Sequence, residues 1–260
     1  MARWLRVWQH LVHSAHQRQK DRRTVLEGIH LLQVYQATGK LPLCWFVDGQ
    51  RVGHAEIQAL MAFPGWPEPW ILESSEFERC SGLQSPVGVA ALIDWPASSG
   101  KVLPSNGGCL VLDRLQDPGN VGTLIRSAVA AGLRQVVLGQ GSVQGWSPKV
   151  LRAAMGAHFH VVLHENVRLP SWLDAYQGRI VGALREAARP YDTVDMTGNV
   201  ALVVGHEGSG LSQDIVERLH ERVFIPMEPS VESLNAAVAG SVLLFERQRQ
   251  QRGQTSGDLA

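Results

Sequence analysis

Ile225-Pro-Met-Glu-Pro-Ser-Val-Glu-Ser-Leu-Asn-Ala-Ala-Val-Ala-Gly240 is the stretch that decides how this chain is read. A polar corner, Ser233-Leu-Asn235, opens an apolar run of small residues. Ser and Asn favour helix starts because their side chains satisfy backbone N–H groups that lack a partner in the first turn. Ala236, Ala237, Ala239 and Gly240 would let another segment approach the helix closely. The combination points to a ligand or a chain segment packed against the start of a helix over Leu234 to Arg247.

Working outward, Ala201-Leu-Val-Val-Gly-His-Glu-Gly-Ser-Gly-Leu-Ser212 is an apolar strand that breaks into three glycines around Glu207. The glycines permit close backbone approach to a ligand, and Glu207 reads either as a solvated turn carboxylate or as a site residue. The order Gly205-x-x-Gly208-x-Gly210 is reversed from a dinucleotide fingerprint, which disfavours a nicotinamide-dependent oxidoreductase. Further upstream, Leu112-Asp-Arg-Leu-Gln-Asp-Pro-Gly-Asn-Val-Gly-Thr-Leu-Ile-Arg-Ser-Ala128 places an Asp117-Pro-Gly turn after a strand. Asn120 is expected in the loop and Arg126 less than two turns into a helix over Gly122 to Ala131, so that both converge on one pocket at the strand end.

These three blocks, in this order, resemble the signatures of the SpoU (TrmH-like) family of RNA ribose 2′-O-methyltransferases, within the SPOUT superfamily. Ser147-Pro-Lys-Val-Leu-Arg-Ala-Ala-Met-Gly-Ala-His-Phe159 is similar to the family's Arg-Ala-Ser-x-Gly-Ala helix. Arg22-Arg-Thr-Val-Leu-Glu-Gly28 and Pro86-Val-Gly-Val-Ala-Ala91 look like the opening and closing elements of its substrate-binding domain. The resemblance spans roughly residues 15 to 247. It implies an α/β fold in which a C-terminal parallel-sheet domain carries a deep trefoil knot, preceded by a small α/β, L30e-like domain that grips RNA. It implies methyl transfer from S-adenosyl-L-methionine to a ribose 2′-hydroxyl of structured RNA, ribosomal before transfer RNA. A catalytically silent knotted protein for RNA binding or ribosome assembly is the alternative.

Residue by residue, the resemblance gives the reaction to Arg126 and Asn120, supported by Glu207, Ser233 and Asn235. It gives cofactor contacts to Gly205, Ile225, Leu234, Met227, Ala183 and Glu207, with no metal, and a homodimer formed through the knotted domain. Three departures stand out: Pro229 where Gly is common, His206 where Asn or Ser is common, and Ala153 or Ala154 for Ser. Pro229 stiffens its loop and removes a backbone donor, which bears on cofactor affinity.

Composition sets the frame. With 260 residues, 45% hydrophobic and 18% charged, the chain reads as two compact domains. Basic and acidic residues balance at 24 each, so binding to nucleic acid must come from clustering. Arg3, Arg6, Arg18, Lys20, Arg22 and Arg23, with His10, His13 and His16, form such a cluster, readable also as a solvated helix face. Cys44, Cys80 and Cys109 are too few and too dispersed for a disulfide framework or a zinc site. His158, His160 and His164 read as packing or surface residues. No membrane segment or export signal is expected, and a cytoplasmic location is. The Pro-, Gly- and Ser-rich stretch from Asp94 to Gly108 marks a linker. The expected plan is residues 1–95 for the RNA-binding domain, 96–107 for the linker, 108–248 for the methyltransferase domain and 249–260 for a flexible tail. Within the first domain a helical pattern is expected through Val25 to Ala37.

Overall fold

The computed structural model describes residues 1–96, 102–184 and 189–257. It divides into two compact units: Met1–Ala97 with Trp146–Phe159, and Ser98–Gly145 with His160–Ala260. Residues 97–101 of the expected linker lie outside the described residues, as do residues 258–260 of the expected tail.

The first unit begins with helix α1 (Ala2–His13) and helix α2 (Ala15–Asp21). Leu5, Trp8 and Leu11 recur every three residues and are buried, while Arg3, Arg6, His10 and His13 face solvent. Trp8 stacks on Phe46 and meets Phe77 edge-on, both at 4.9 Å between ring centroids. Arg18 does not belong to the exposed basic cluster. It is only 6% exposed, and its guanidinium donates to the Leu11 and Val12 carbonyls at 2.6 and 3.1 Å, satisfying the open C-terminal end of α1.

The four-stranded sheet of this unit has the order β1 (Arg23–Glu27), β4 (Val89–Asp94), β2 (Cys44–Asp48), β3 (Trp70–Leu72). β4 is antiparallel to both neighbours, whereas β2 and β3 run parallel. Helices α3 (Ile29–Ala37), α4 (Ala55–Met61) and α5 (Ser74–Cys80) connect the strands. The helix expected from Val25 therefore starts only at Ile29. Val25 and Leu26 pair with Leu92 and Ala91 instead, and Gly28 breaks the chain with φ +115°, a conformation open to a residue without a Cβ.

Glu27 is the notable polar residue of this core, 3% exposed. It accepts from the Ser81 hydroxyl at 2.8 Å and the Gly82 N–H at 2.9 Å, and pairs with Arg152 at 3.1 Å. Arg152 lies on α7 (Pro148–Ala153), started by the expected Ser147 cap and Pro148. Glu27→Ala is expected to cost about 3 kcal/mol, because the Ser81 and Gly82 donors lose a charged acceptor. Urea denaturation with an unchanged m-value checks it.

In the second unit the strands run β5 (Cys109–Leu112), β6 (Gln135–Gly139), β7 (Val162–Val167), β8 (Arg179–Ala183), β9 (Arg189–Pro190), β10 (Val200–Val204) and β11 (Glu221–Phe224). They form one sheet of order β7-β6-β5-β10-β8-β11-β9, parallel at every pairing. Every residue of β5 and β10 is buried, as a sheet covered on both faces requires. The intervening helices are α6 (Pro118–Ala130), α8 (Leu169–Ala175) and α9 (Gln213–Val216), and α10 (Ala236–Gly257) closes the described chain. α10 runs ten residues past Arg247 and replaces most of the expected tail with helix. Glu246 holds it there, accepting from Arg249 at 2.7 and 2.8 Å and from Gln250 at 2.7 Å.

His158, His160 and His164 do not converge. His158 is buried against the Trp146 ring, His164 is buried with Nε2 2.8 Å from the Gln135 Oε1, and His160 is exposed. Among the described residues there is no cluster of three or more metal-ligating side chains and no helix long and apolar enough to cross a membrane.

Candidate active site

Strand β5 leads to β6 and β7 on one side, while β10, β8 and β11 lie on the other, so the strand order reverses between β5 and β10. In open α/β sheets, crevices at such a reversal, outside the carboxyl ends of the strands, are where ligands sit. Ala183 ends β8, Gly205 follows β10, Ile225 follows β11 and Asp113 follows β5. The expected site residues on these strands therefore share one edge of the sheet.

The loop after β5 differs from expectation in one consequential way. Asp117 accepts the Asn120 N–H at 2.8 Å, and Pro118 occupies the first helical position, so α6 begins four residues early. Asn120 thus lies in the first turn of a helix and not in a loop. Arg126 lies more than two turns in, exposed, with no hydrogen bond or ion pair among the described residues. Six helical residues separate the two by a rise of roughly 9 Å and a large rotation, so the fold does not bring Arg126 against Asn120.

What it does assemble is a chain of polar contacts across all three blocks. The Asn120 Nδ2 donates to Glu207 Oε1 at 3.1 Å, and Asn235 Nδ2 donates to Asn120 Oδ1 at 2.9 Å. Glu207 also accepts the backbone N–H groups of Asp117 and Gln116 at 3.2 and 3.4 Å. Asn235 Oδ1 accepts the N–H groups of Ala237 and Val238 at 2.8 and 3.2 Å, capping α10. The polar corner is thus a helix cap and a tether at once. Ser233 remains exposed, with no hydrogen-bond partner among the described residues.

Partial burial works to raise the Glu207 carboxyl, but the bonds from Asn120 and from backbone N–H groups outweigh it and hold it below its ordinary value. A carboxylate depressed in the folded state stabilises above its unfolded pKa and loses that contribution as pH falls through the folded value. Protection of the Gln116 and Asp117 amides from hydrogen exchange is expected to be constant from neutral pH to about 5, and to fall below about 4.

Two supporting residues escaped the sequence reading. Asp113 is buried and accepts the Ser212 N–H at 2.8 Å, tying the end of β5 to the end of the glycine loop. Arg114, in the left-handed region with φ +59°, donates to the Gly210 carbonyl at 3.3 Å. Their position inside the first block, just after β5, was the available signal. His206 folds the glycine turn from within, its Nδ1 accepting the Gly208 and Ser209 N–H groups at 3.0 and 3.1 Å. Pro229 sits at the second position of a turn closed by Val231 N–H to the Glu228 carbonyl at 3.0 Å. Proline suits that position and no donor is lost there.

Behind the corner, the small residues serve close packing. A Cβ on Gly240 would come within 2.5 Å of Leu124 on α6 and 3.0 Å of Val204 on β10. Ser241 and Ser127 hydroxyls meet at 2.8 Å across the same helix pair. In the irregular segment before α10, Met227 and Leu234 are exposed, and their backbone N–H groups have no partner among the described residues. Apolar surface beside unengaged backbone donors suits a ligand with a flat, polar-edged ring system.

A parallel α/β sheet with a polar site at its topological reversal, built from loops after β5, β10 and β11, defines a ligand-binding α/β domain of the open-sheet class. The chain belongs to the SpoU rRNA Methylase family, which matches residues 108–245. It is 30% identical over 243 residues to the 23S rRNA (guanosine(2553)-2′-O)-methyltransferase RlmP of Bacillus subtilis (strain 168), covering 92% of this chain and 93% of that protein. It is 38% identical over 144 residues to the 23S rRNA (guanosine-2′-O-)-methyltransferase RlmB of Coxiella burnetii, covering 54% of this chain and 58% of that one. The fold matches the SpoU methyltransferase AviRb of Streptomyces viridochromogenes, solved in complex with AdoMet, with a TM-score of 0.84 at 24% identity, over 95% of this chain and 97% of that one.

Proposed function

We propose that this protein is an RNA methyltransferase that moves a methyl group from S-adenosyl-L-methionine to a ribose 2′-hydroxyl of ribosomal RNA. The observation that carries the reading is the Glu207–Asn120–Asn235 chain, which joins the three sequence blocks at the carboxyl edge of the sheet. Family membership and the near full-length similarity to a 23S rRNA 2′-O-methyltransferase support it.

Gly205, Ile225, Met227 and Leu234, with Ala183 and Glu207 at the border, would hold the cofactor, and the unengaged backbone donors beside exposed Met227 and Leu234 fit it. Bound there, S-adenosyl-L-methionine supplies a methyl group activated by its sulfonium. The chain's own task is to align a weak nucleophile and manage the charge it develops. Arg126, a guanidinium with no free acceptor, is suited to hold a substrate phosphate and stabilise negative charge and is unsuited to take a proton. Asn120 has both ends of its amide engaged, so its orientation is set before substrate arrives. Glu207 fixes the loop after β5, and the Ser233 hydroxyl is free to meet a ribose.

The reading includes a knotted domain at 108–248. Its support is the insertion of β10 between β5 and β8, and the return of the chain after β11 to pack α10 on α6 and β10. It includes a homodimer through that domain, supported by exposed Met227, Val231, Leu234, Val238 and Phe245 on the last segment. It includes RNA binding by an L30e-like domain at 1–95, supported by the exposed Arg3, Arg6, Lys20 and Arg22, and a cytoplasmic location. The test is calorimetry with S-adenosyl-L-methionine, followed by transfer of labelled methyl to protein-free large-subunit rRNA and mapping of 2′-O-methyl sites. Binding with site-specific transfer is expected. A folded protein that binds RNA but no cofactor would instead establish the catalytically silent reading.

A further inference from the structure

His206 is tied into the glycine turn after β10 through both its ring and its backbone. Its Nδ1 accepts the Gly208 and Ser209 N–H groups at 3.0 and 3.1 Å, and its backbone exchanges hydrogen bonds with Gly210 at 3.1 and 2.9 Å. A neutral imidazole has one ring nitrogen that donates and one that accepts. With Nδ1 accepting, the ring hydrogen must sit on Nε2, which has no hydrogen-bond partner among the described residues. Nδ1 is then the only ring atom that can take a further proton, and it is also the atom that holds the turn. A proton there would set a third donor against two N–H donors, so protonation and the closed turn exclude each other.

The imidazole alone supports the tip of the turn. The Gly208 and Ser209 N–H groups have no other partner among the described residues, whereas Gly210 and Ser212 are also tied to Arg114 and Asp113 on the loop after β5. The backbone of Gly210 and Leu211 lies directly against Gly205, with no room for a Cβ between them. Closing the turn therefore sets the wall assigned to the cofactor. Glu207 is anchored separately, by the Gln116 and Asp117 N–H groups and the Asn120 amide. The charged side chains bonded to the turn or next to it are Glu207 itself, Asp113 and Arg114, with Asp117 beyond them capping α6. Carboxylates and guanidinium groups ordinarily keep their charge between pH 5 and 8, and histidine does not.

We propose that His206 is a positioning residue that makes cofactor binding depend on a proton: the neutral ring closes the glycine turn against Gly205, and protonation at Nδ1 opens the Gly208–Ser209 tip and weakens S-adenosyl-L-methionine. The proposal rests on the cofactor reading above and assigns it a control within the same turn. An asparagine at this position would offer an amide oxygen to the same N–H groups and carry no titrating nitrogen. The histidine thus adds something that the shape of the turn does not require. Only the neutral form is competent, so the apparent Kd is the intrinsic Kd divided by the neutral fraction. Affinity is constant above the range in which the ring takes a proton, and falls by up to about tenfold per pH unit below it.

The experiment measures S-adenosyl-L-methionine affinity by calorimetry on the full-length protein between about pH 7.5 and about pH 5.5, for wild type, His206→Asn and His206→Ala. The wild-type Kd is expected to rise roughly tenfold over that range. His206→Asn is expected to rescue binding and to vary by less than about twofold with pH, while His206→Ala binds about tenfold more weakly throughout. Amide hydrogen exchange on the ligand-free protein supplies a second readout. Protection of Gly208 and Ser209 is expected to fall with pH in wild type and to stay level in His206→Asn, with Gln116 and Asp117 level in both. The same pH dependence in wild type and His206→Asn, a wild-type affinity that does not change with pH, or full affinity in His206→Ala would each overturn the proposal. If wild type binds no cofactor at any pH, the functional reading fails separately, and the exchange of Gly208 and Ser209 still decides the role of the histidine.

Discussion

Asn120→Ala is expected to lower 2′-O-methyl transfer by about a hundredfold to a thousandfold while leaving cofactor affinity within about twofold of wild type. The side chain is the middle member of the only contact chain among the described residues that links the loop after β5, the glycine turn after β10 and the cap of α10. Removing it unpins Glu207 on one side and the Asn235 amide on the other. The contacts are at the surface, so stability changes by no more than about 1 kcal/mol, and the loss falls on the geometry of the site. The Glu207 carboxyl should also rise, since the Asn120 bond is the largest influence lowering it. Arg126→Ala is expected to lose activity without that rise, because Arg126 does not touch Glu207. Single-turnover methylation, calorimetry and carboxyl titration by NMR separate the two variants. Full activity in Asn120→Ala would show that the first block only starts a helix.

Gly205→Ala is expected to destabilise the protein by about 3 kcal/mol and to abolish cofactor binding. A Cβ there would overlap the Gly210 backbone and come within 2.5 Å of the Leu211 nitrogen. These are backbone atoms held by the reciprocal His206–Gly210 pair, at 3.1 and 2.9 Å, and by the Ser212 N–H on Asp113. They have no side-chain rotamer through which to yield, so the whole glycine turn must move off the end of β10. Gly208→Ala is the control: its Cβ would meet only the His206 ring, no nearer than 3.6 Å. Thermal unfolding with and without S-adenosyl-L-methionine reads both effects. A Gly205→Ala protein that retains a normal ligand-induced Tm shift would remove the turn from the cofactor site.

The alternation of apolar runs with helical patterns was enough to read a parallel sheet after Gly108, because strands buried on both faces need continuous apolar residues. The helix starts at Ser147-Pro148 and Asn235 were legible for a similarly local reason, since a cap acts within three residues of itself. The cap at Asp117-Pro118 is equally local, and it sets Asn120 in the first turn of α6 and Arg126 more than two turns in, where the Asp-Pro-Gly turn pattern predicts a loop and a later helix start. Val25 to Ala37 misled differently. Its apolar spacing suits a helix, and only pairing with β4, some 65 residues away in sequence, makes the first part a strand.

The sequence by itself determined the class of fold, the family to which the chain belongs and the identity of the three blocks, because each is written in short-range pattern. Only the tertiary structure decided which of the marked residues meet. Asn120, Glu207 and Asn235 are separated by 87 and 28 positions along the chain, and they touch because β10 inserts beside β5 and α10 returns onto α6. Arg126, six residues from Asn120, does not join them, because a helix turns the two side chains apart. Arg18 likewise read as surface charge until the end of α1 required its donors. Contacts of this kind depend on where backbone groups are left unsatisfied after the elements pack, which no local pattern in the chain expresses.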